Sequence, residues 1–168
     1  MKVLIYLDGR HIARVLSRVE RILSPDADWL VLHVADTGPI EEAVRAFGGL
    51  LGRGPGRERA ERQMEHVAEL RQEDIRAEVE GWLRENGRAA EVVMTQGRPE
   101  REILRVAEQG EAGLIILEAG GELGPRPGPG PGPHHGPGPR PLGPVARFVI
   151  DHANCDVLLL DRSTGARG

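Results

Sequence analysis

The sequence predicts a doubly wound α/β fold, a single five-stranded parallel sheet with helices on both faces. Five short apolar runs recur along the chain, at Lys2 to Leu7, Trp29 to Ala35, Glu91 to Thr95, Leu114 to Leu117 and Asp156 to Leu160. Stretches with apolar residues at helical spacing separate them. The runs are nearly continuous rather than alternating, as expected of strands buried on both faces, and parallel neighbours need right-handed crossovers through helices. The length of 168 residues suits one domain. A chain of about 150 residues buries roughly 70% of the surface it exposes unfolded, so its core needs neither disulfide nor structural metal. The lone Cys155 agrees, since one cysteine can form neither a disulfide nor a cysteine zinc site within one chain.

Each element follows from local pattern. The first strand, Lys2 to Leu7, stops at Asp8-Gly9. Ile12, Val15, Leu16, Val19, Ile22 and Leu23 then mark one face of a helix, with Arg14, Arg18 and Arg21 on the wet face and Ser24-Pro25 as its stop. After the second strand, Ile40, Val44, Phe47 and Leu51 mark a short helix, and Gly52 to Arg57 reads as a break. Met64, Val67, Ala68, Ile75, Val79, Trp82 and Leu83 mark a long helix closed by Asn86-Gly87. Pro99, with Glu100 and Glu102, opens the helix that carries Ile103, Leu104 and Ala107. Pro144 opens the last helix, with Val145, Phe148 and Val149 inward, before the final strand.

One segment departs from the rest. From Gly124 to Pro144, 21 residues hold seven Gly and nine of the 13 Pro. Such a composition buries almost nothing and admits no helix, so 124–142 is expected to be an extended, solvated insert in a domain spanning 1–162, with 163–168 a flexible tail. No apolar stretch is long enough to span a membrane or to serve as a signal peptide, and cytoplasmic is the expected location. A net charge of −4 with 3% aromatic residues, lacking a basic stripe, argues against nucleic acid as partner.

In open α/β sheets ligands sit beyond the carboxyl ends of the strands, where the strand order switches. The residues there are Asp8-Gly9-Arg10, Ala35-Asp36, Gln96-Gly97-Arg98 and Glu118-Ala119-Gly120-Gly121. The opening strand ending in Asp8-Gly9, with Leu32-His33-Val34, Gly97-Arg98-Pro99 before Ile103, Leu114-Ile115-Ile116-Leu117 and the closing run from Gly143 to Leu160, makes the chain resemble the universal stress proteins. The resemblance spans nearly everything outside the insert. It implies a flavodoxin-like sheet of order 3-2-1-4-5 and a homodimer paired through strand 156–160. It also implies that ATP or AMP is the ligand to consider, since some members bind ATP and others bind no nucleotide.

Carried over by position, Asp8 would hold the adenine and ribose side and Val34 would contribute backbone beside it. The family's phosphate loop runs Gly, two residues, Gly, nine residues, Gly, Ser or Thr, so that backbone N–H groups approach the anion. Here these positions fall on Glu118, Gly121, Gly143 and Pro144, with 21 residues between Gly121 and Gly143. A glutamate repels phosphate, and Pro144 offers neither hydroxyl nor N–H. The cofactor-binding candidates are therefore Asp8, Val34, Gly121 and Gly143, in a site whose phosphate end is damaged.

Plainer readings stand beside these. Asp8-Gly9 is also an ordinary turn pair. His33 and His152 suit packing or helix termination, and His134-His135 supplies two ligands where zinc needs three or four. The arginines at 10, 98, 126 and 140 either converge on phosphate or keep loops soluble. Cys155 has nothing nearby to activate it. No nucleophile elbow, complete Walker loop or metal-spaced cluster is present, and a slow ATPase would need a water-positioning residue that the sequence does not identify. The expectation is a non-catalytic, dimeric stress-response module with a degraded nucleotide site, and the alternative is an adenine-nucleotide sensor.

Overall fold

Apolar runs too short for helices pair edge to edge, and alternate side chains then point to opposite faces of the sheet. The computed structural model describes residues 1–38, 55–120 and 142–161. The helix expected around 40–51, the insert except its last residue, and the tail lie outside the described residues.

The strands are β1 (Lys2–Leu7), β2 (Asp28–Asp36), β3 (Ala90–Gly97), β4 (Leu114–Glu118) and β5 (Asp156–Leu160). The helices are α1 (Ile12–Ile22), α2 (Pro55–Glu85), α3 (Pro99–Gln109) and α4 (Pro144–His152). All pairings are parallel and the strand order is β3-β2-β1-β4-β5, as the resemblance implied. Alternation splits the core in two. Val3, Ile5, Leu7, Val31 and Ile116 face α1 and α2, packing on Val15, Leu16, Val19, Ile75, Val79 and Trp82. Leu4, Leu30, Leu32, Ile115 and Leu117 face α3 and α4, packing on Ile103, Val106, Ala146 and Val149. A sheet covered on both faces explains why its strands read as continuous apolar runs.

Three local expectations are corrected. The break at Gly52 to Arg57 is not a break throughout, because α2 already begins at Pro55. Proline is tolerated in a first turn, where its missing N–H has no intrahelical role, and the Glu- and Arg-rich run after it favours helix. At ~1.5 Å per residue the 31 residues of α2 extend about 46 Å, far longer than the strands beside it. Only its second half lies on the sheet. Gln72 Nε2 donates to the Thr95 carbonyl (2.7 Å) near the carboxyl end of β3, so the turns before it overhang the sheet edge. Val67, expected inward, is 59% exposed there. Ile22 is likewise exposed, because α1 ends at that residue and the chain turns away.

The Gly97-Arg98-Pro99 corner is fixed by contacts. Gly97 has a φ of +143°, and a Cβ there would meet Glu102 Cγ at 3.1 Å. Thr95 Oγ1 donates to Glu102 Oε2 (2.8 Å), and Arg105 holds the same carboxylate at 2.6 Å, tying α3 to the end of β3.

Candidate functional site

The order 3-2-1-4-5 reverses between β1 and β4, and a cleft opens beyond the carboxyl ends of those two strands. It is a cavity of about 80 Å³ lined by Tyr6, Leu7 and Asp8 from β1 and its end, Leu117, Glu118 and Gly120 from β4 and its end, Val15 from α1, and Gly143, Val145 and Ala146 at the start of α4. Asp8 and Gly143, both named from the sequence, therefore line the same cavity. Val34 sits at the end of β2, opposite Thr95, with its side chain buried against the α3 and α4 face. It is not among the residues lining the cavity. Gly121 lies outside the described residues, as do Arg126 and Arg140.

Asp8 closes a turn. Its Oδ1 accepts the Arg10 N–H at 2.9 Å, and Gly9 supplies the positive φ of +82° that lets the chain reverse. A side chain there is strained by that φ, and its Cβ would lie 2.9 Å from Ile75 Cδ1 and 3.1 Å from His33 Cε1, so both neighbours would have to shift. His33 is the floor of this turn. Its Nδ1 is 2.9 Å from the Leu7 carbonyl oxygen, which can only accept, so the proton sits on Nδ1. Burial pushes the pKa of His33 down, and the Leu7 bond only partly opposes this. The neutral ring is thus committed to packing. His152 has a comparable role in α4, its Nδ1 bonding the Phe148 carbonyl at 2.9 Å one turn back. Burial and the neighbouring Asp156 raise the pKa of the Cys155 thiol, away from reactivity.

The phosphate end is built differently from what the sequence alone suggested. Glu118 is not an open repulsive charge: its side chain is 7% exposed, and Arg14 Nη2 donates to its Oε1 at 3.0 Å. Arg14 belongs to the helix face assigned to solvent, yet it is 37% exposed because it lies over the end of β4. The Arg14 Nε is buried without a hydrogen-bond partner. Arg18, one turn on, donates to the Asp161 carbonyl just past β5. Gly143 is buried and its N–H is already used, donating to the Ala119 carbonyl at 3.0 Å, while the Ala119 N–H donates to Leu160 (2.9 Å). Sequence reasoning missed Arg14 and Tyr6, whereas Gly120 belongs to the strand end that it named. The available signal for Arg14 was a cation in the first turn of a helix that has no acidic residue there, against the helix dipole.

Among the described residues no group of three or more His, Cys, Asp and Glu is placed to hold a metal ion, and no helix is long and apolar enough to cross a membrane.

Comparison with known proteins adds the lineage. The model of the universal stress protein family matches residues 2–161. A search of curated proteins returns no significant match. Among solved structures the chain is similar to the hypothetical protein MJ0577 at 21% identity, covering 98% of this chain and 97% of that one with a TM-score of 0.59. It is similar to a universal stress protein family protein from Arabidopsis thaliana with AMP bound, at 17% identity, covering 98% and 93% with a TM-score of 0.58. A universal stress protein in complex with cAMP aligns at 16% identity over 95% of both chains, with a TM-score of 0.54. The match across almost the whole length, with the strand order and the cleft between β1 and β4, leads to one conclusion: the chain belongs to the universal stress protein family.

Proposed function

We propose that this protein is a cytoplasmic stress-response module that acts by binding and interaction rather than catalysis, as a homodimer whose nucleotide site has degraded. The observation that carries the reading is the Arg14–Glu118 ion pair, whose carboxylate lines the cleft. A carboxylate lines the cavity where an anion would lie, and it engages a cation that could have faced one. Pro144 and the consumed N–H of Gly143 remove two further donors from the start of α4. Each lost donor to a charged group costs about 1.5–3 kcal/mol, and every 1.4 kcal/mol is roughly tenfold in affinity, so two losses move a micromolar site towards millimolar.

Calorimetric titration of the purified protein with ATP tests this. The reading expects weak binding or none. Tight ATP binding abolished by Asp8→Ala contradicts it and supports the second reading, an adenine-nucleotide sensor using Asp8, Val34, Gly121 and Gly143. That second reading draws on Asp8 and Gly143 sharing the cleft, and on structural relatives that carry AMP and cAMP.

The proposed dimer uses β5, which among the described residues pairs only with β4. Val157, Leu158 and Leu159 are partly exposed, and neither Lys nor Pro guards the strand.

A further inference from the structure

Arg14 occupies an unusual place. It lies in the first turn of α1, where the helix dipole already presents positive potential and where no acidic side chain offsets it. His11 precedes the turn in a left-handed conformation and makes no side-chain cap, so the first N–H groups of α1 lack the usual oxygen acceptor. The guanidinium adds a buried, unpartnered Nε. An uncapped helix start, a cation and an orphaned donor make a local demand for negative charge. Glu118, on the last residue of a strand from the other side of the switch point, meets that demand at 3.0 Å with a side chain more than nine-tenths buried.

We propose that Glu118 is a built-in anion: its carboxylate, on the lining of the cleft, holds Arg14 and so closes this corner of the site to phosphorylated ligands. This rests on the reading of the cleft as the binding site. It differs from a mere loss of phosphate contacts, because Arg14 remains in place as a latent receptor. Vacating the volume of Glu118 should therefore create an anion site without rebuilding the rest of the loop. Gln at the same position should not, since it keeps the volume filled and still offers Arg14 an oxygen.

The test is the binding of inorganic pyrophosphate at constant ionic strength, followed by calorimetry and by melting temperature. Glu118→Ala should bind pyrophosphate at least tenfold more tightly than wild type and should regain melting temperature as pyrophosphate is added. Adding Arg14→Met should abolish both effects, and Glu118→Gln should show neither. Folded Glu118→Ala with no gain, or a gain that survives Arg14→Met, overturns the inference. If the alanine variant does not fold, Glu118→Gly is read in the same way. Wild type gives a separate arm: AMP should bind no more tightly than adenosine, and AMP tenfold tighter than adenosine also overturns the inference. If wild type binds neither while Glu118→Ala gains pyrophosphate, the inference stands and the nucleotide-sensor reading falls.

Discussion

Burial of His33 beneath the Asp8–Gly9 turn links the acid stability of the fold to one imidazole. The ordinary value of the group is about 6.5 and the folded value lies below it, so the unfolded chain binds the extra proton first. The stability contributed by the neutral ring is full above about pH 6.5 and is lost as pH falls through the folded value. The group facing it from α2 is Arg71, which favours the neutral form, while Asp8 opposes. Urea unfolding between pH 7.5 and 5 should show falling stability, and His33→Gln should flatten that slope. Glu102, held below its ordinary 4.5 chiefly by Arg105, adds its own loss only at lower pH, which keeps the two windows apart. A slope unchanged by His33→Gln would contradict the assignment. Gly9→Ala should cost about 1–3 kcal/mol by the same measurement, since it combines a strained φ with a 2.9 Å contact to Ile75. At this scale the turn at Asp8-Gly9 was legible, because Asp and Gly announce it chemically. Arg14 was not. Helical spacing places it opposite the core, and only the tertiary path of β4 brings Glu118 beneath it.

The long helix α2 is held to the sheet by aromatic contact as well as aliphatic packing. Trp82 stacks on Trp29 of β2 with centroids 6.1 Å apart and planes 12° from parallel. Arg88, just past the helix, lies 5.1 Å from the Trp29 ring and pairs with Glu20 of α1 at 3.4 Å. Trp82→Ala should therefore destabilise the protein by about 3–5 kcal/mol in urea unfolding. Arg88→Ala should cost less, about 0.5–1 kcal/mol, as an edge cation–π contact does. Strands β1 and β5 were readable in full because their apolar runs stop at turn or charged residues, whereas β3 runs on through the polar Gln96 to Gly97, which the apolar pattern does not mark. The first half of α2 was misread for a physical reason. Gly and Pro signal breaks by local chemistry, yet Pro55 sits where a helix accepts it, and Val67 repeats at helical spacing on turns that have no sheet below them.

For the molecule as a whole, the ends of the Gly- and Pro-rich segment are fastened together by the Gly143 N–H and the Ala119 carbonyl. Replacing 124–141 by a short linker should leave the melting temperature unchanged or slightly higher, since each halving of a loop relieves about 0.6 kcal/mol of closure entropy. A large drop on differential scanning calorimetry would show that the segment contributes to the core. The exposed edge of β5 predicts association, so Leu159→Arg should convert a dimer to a monomer in sedimentation experiments. Both this state and the condition of the cleft can be read at once. The most direct test is native mass spectrometry of the wild-type protein as purified: the account predicts a dimer carrying no nucleotide, and a species retaining ATP or AMP would contradict it.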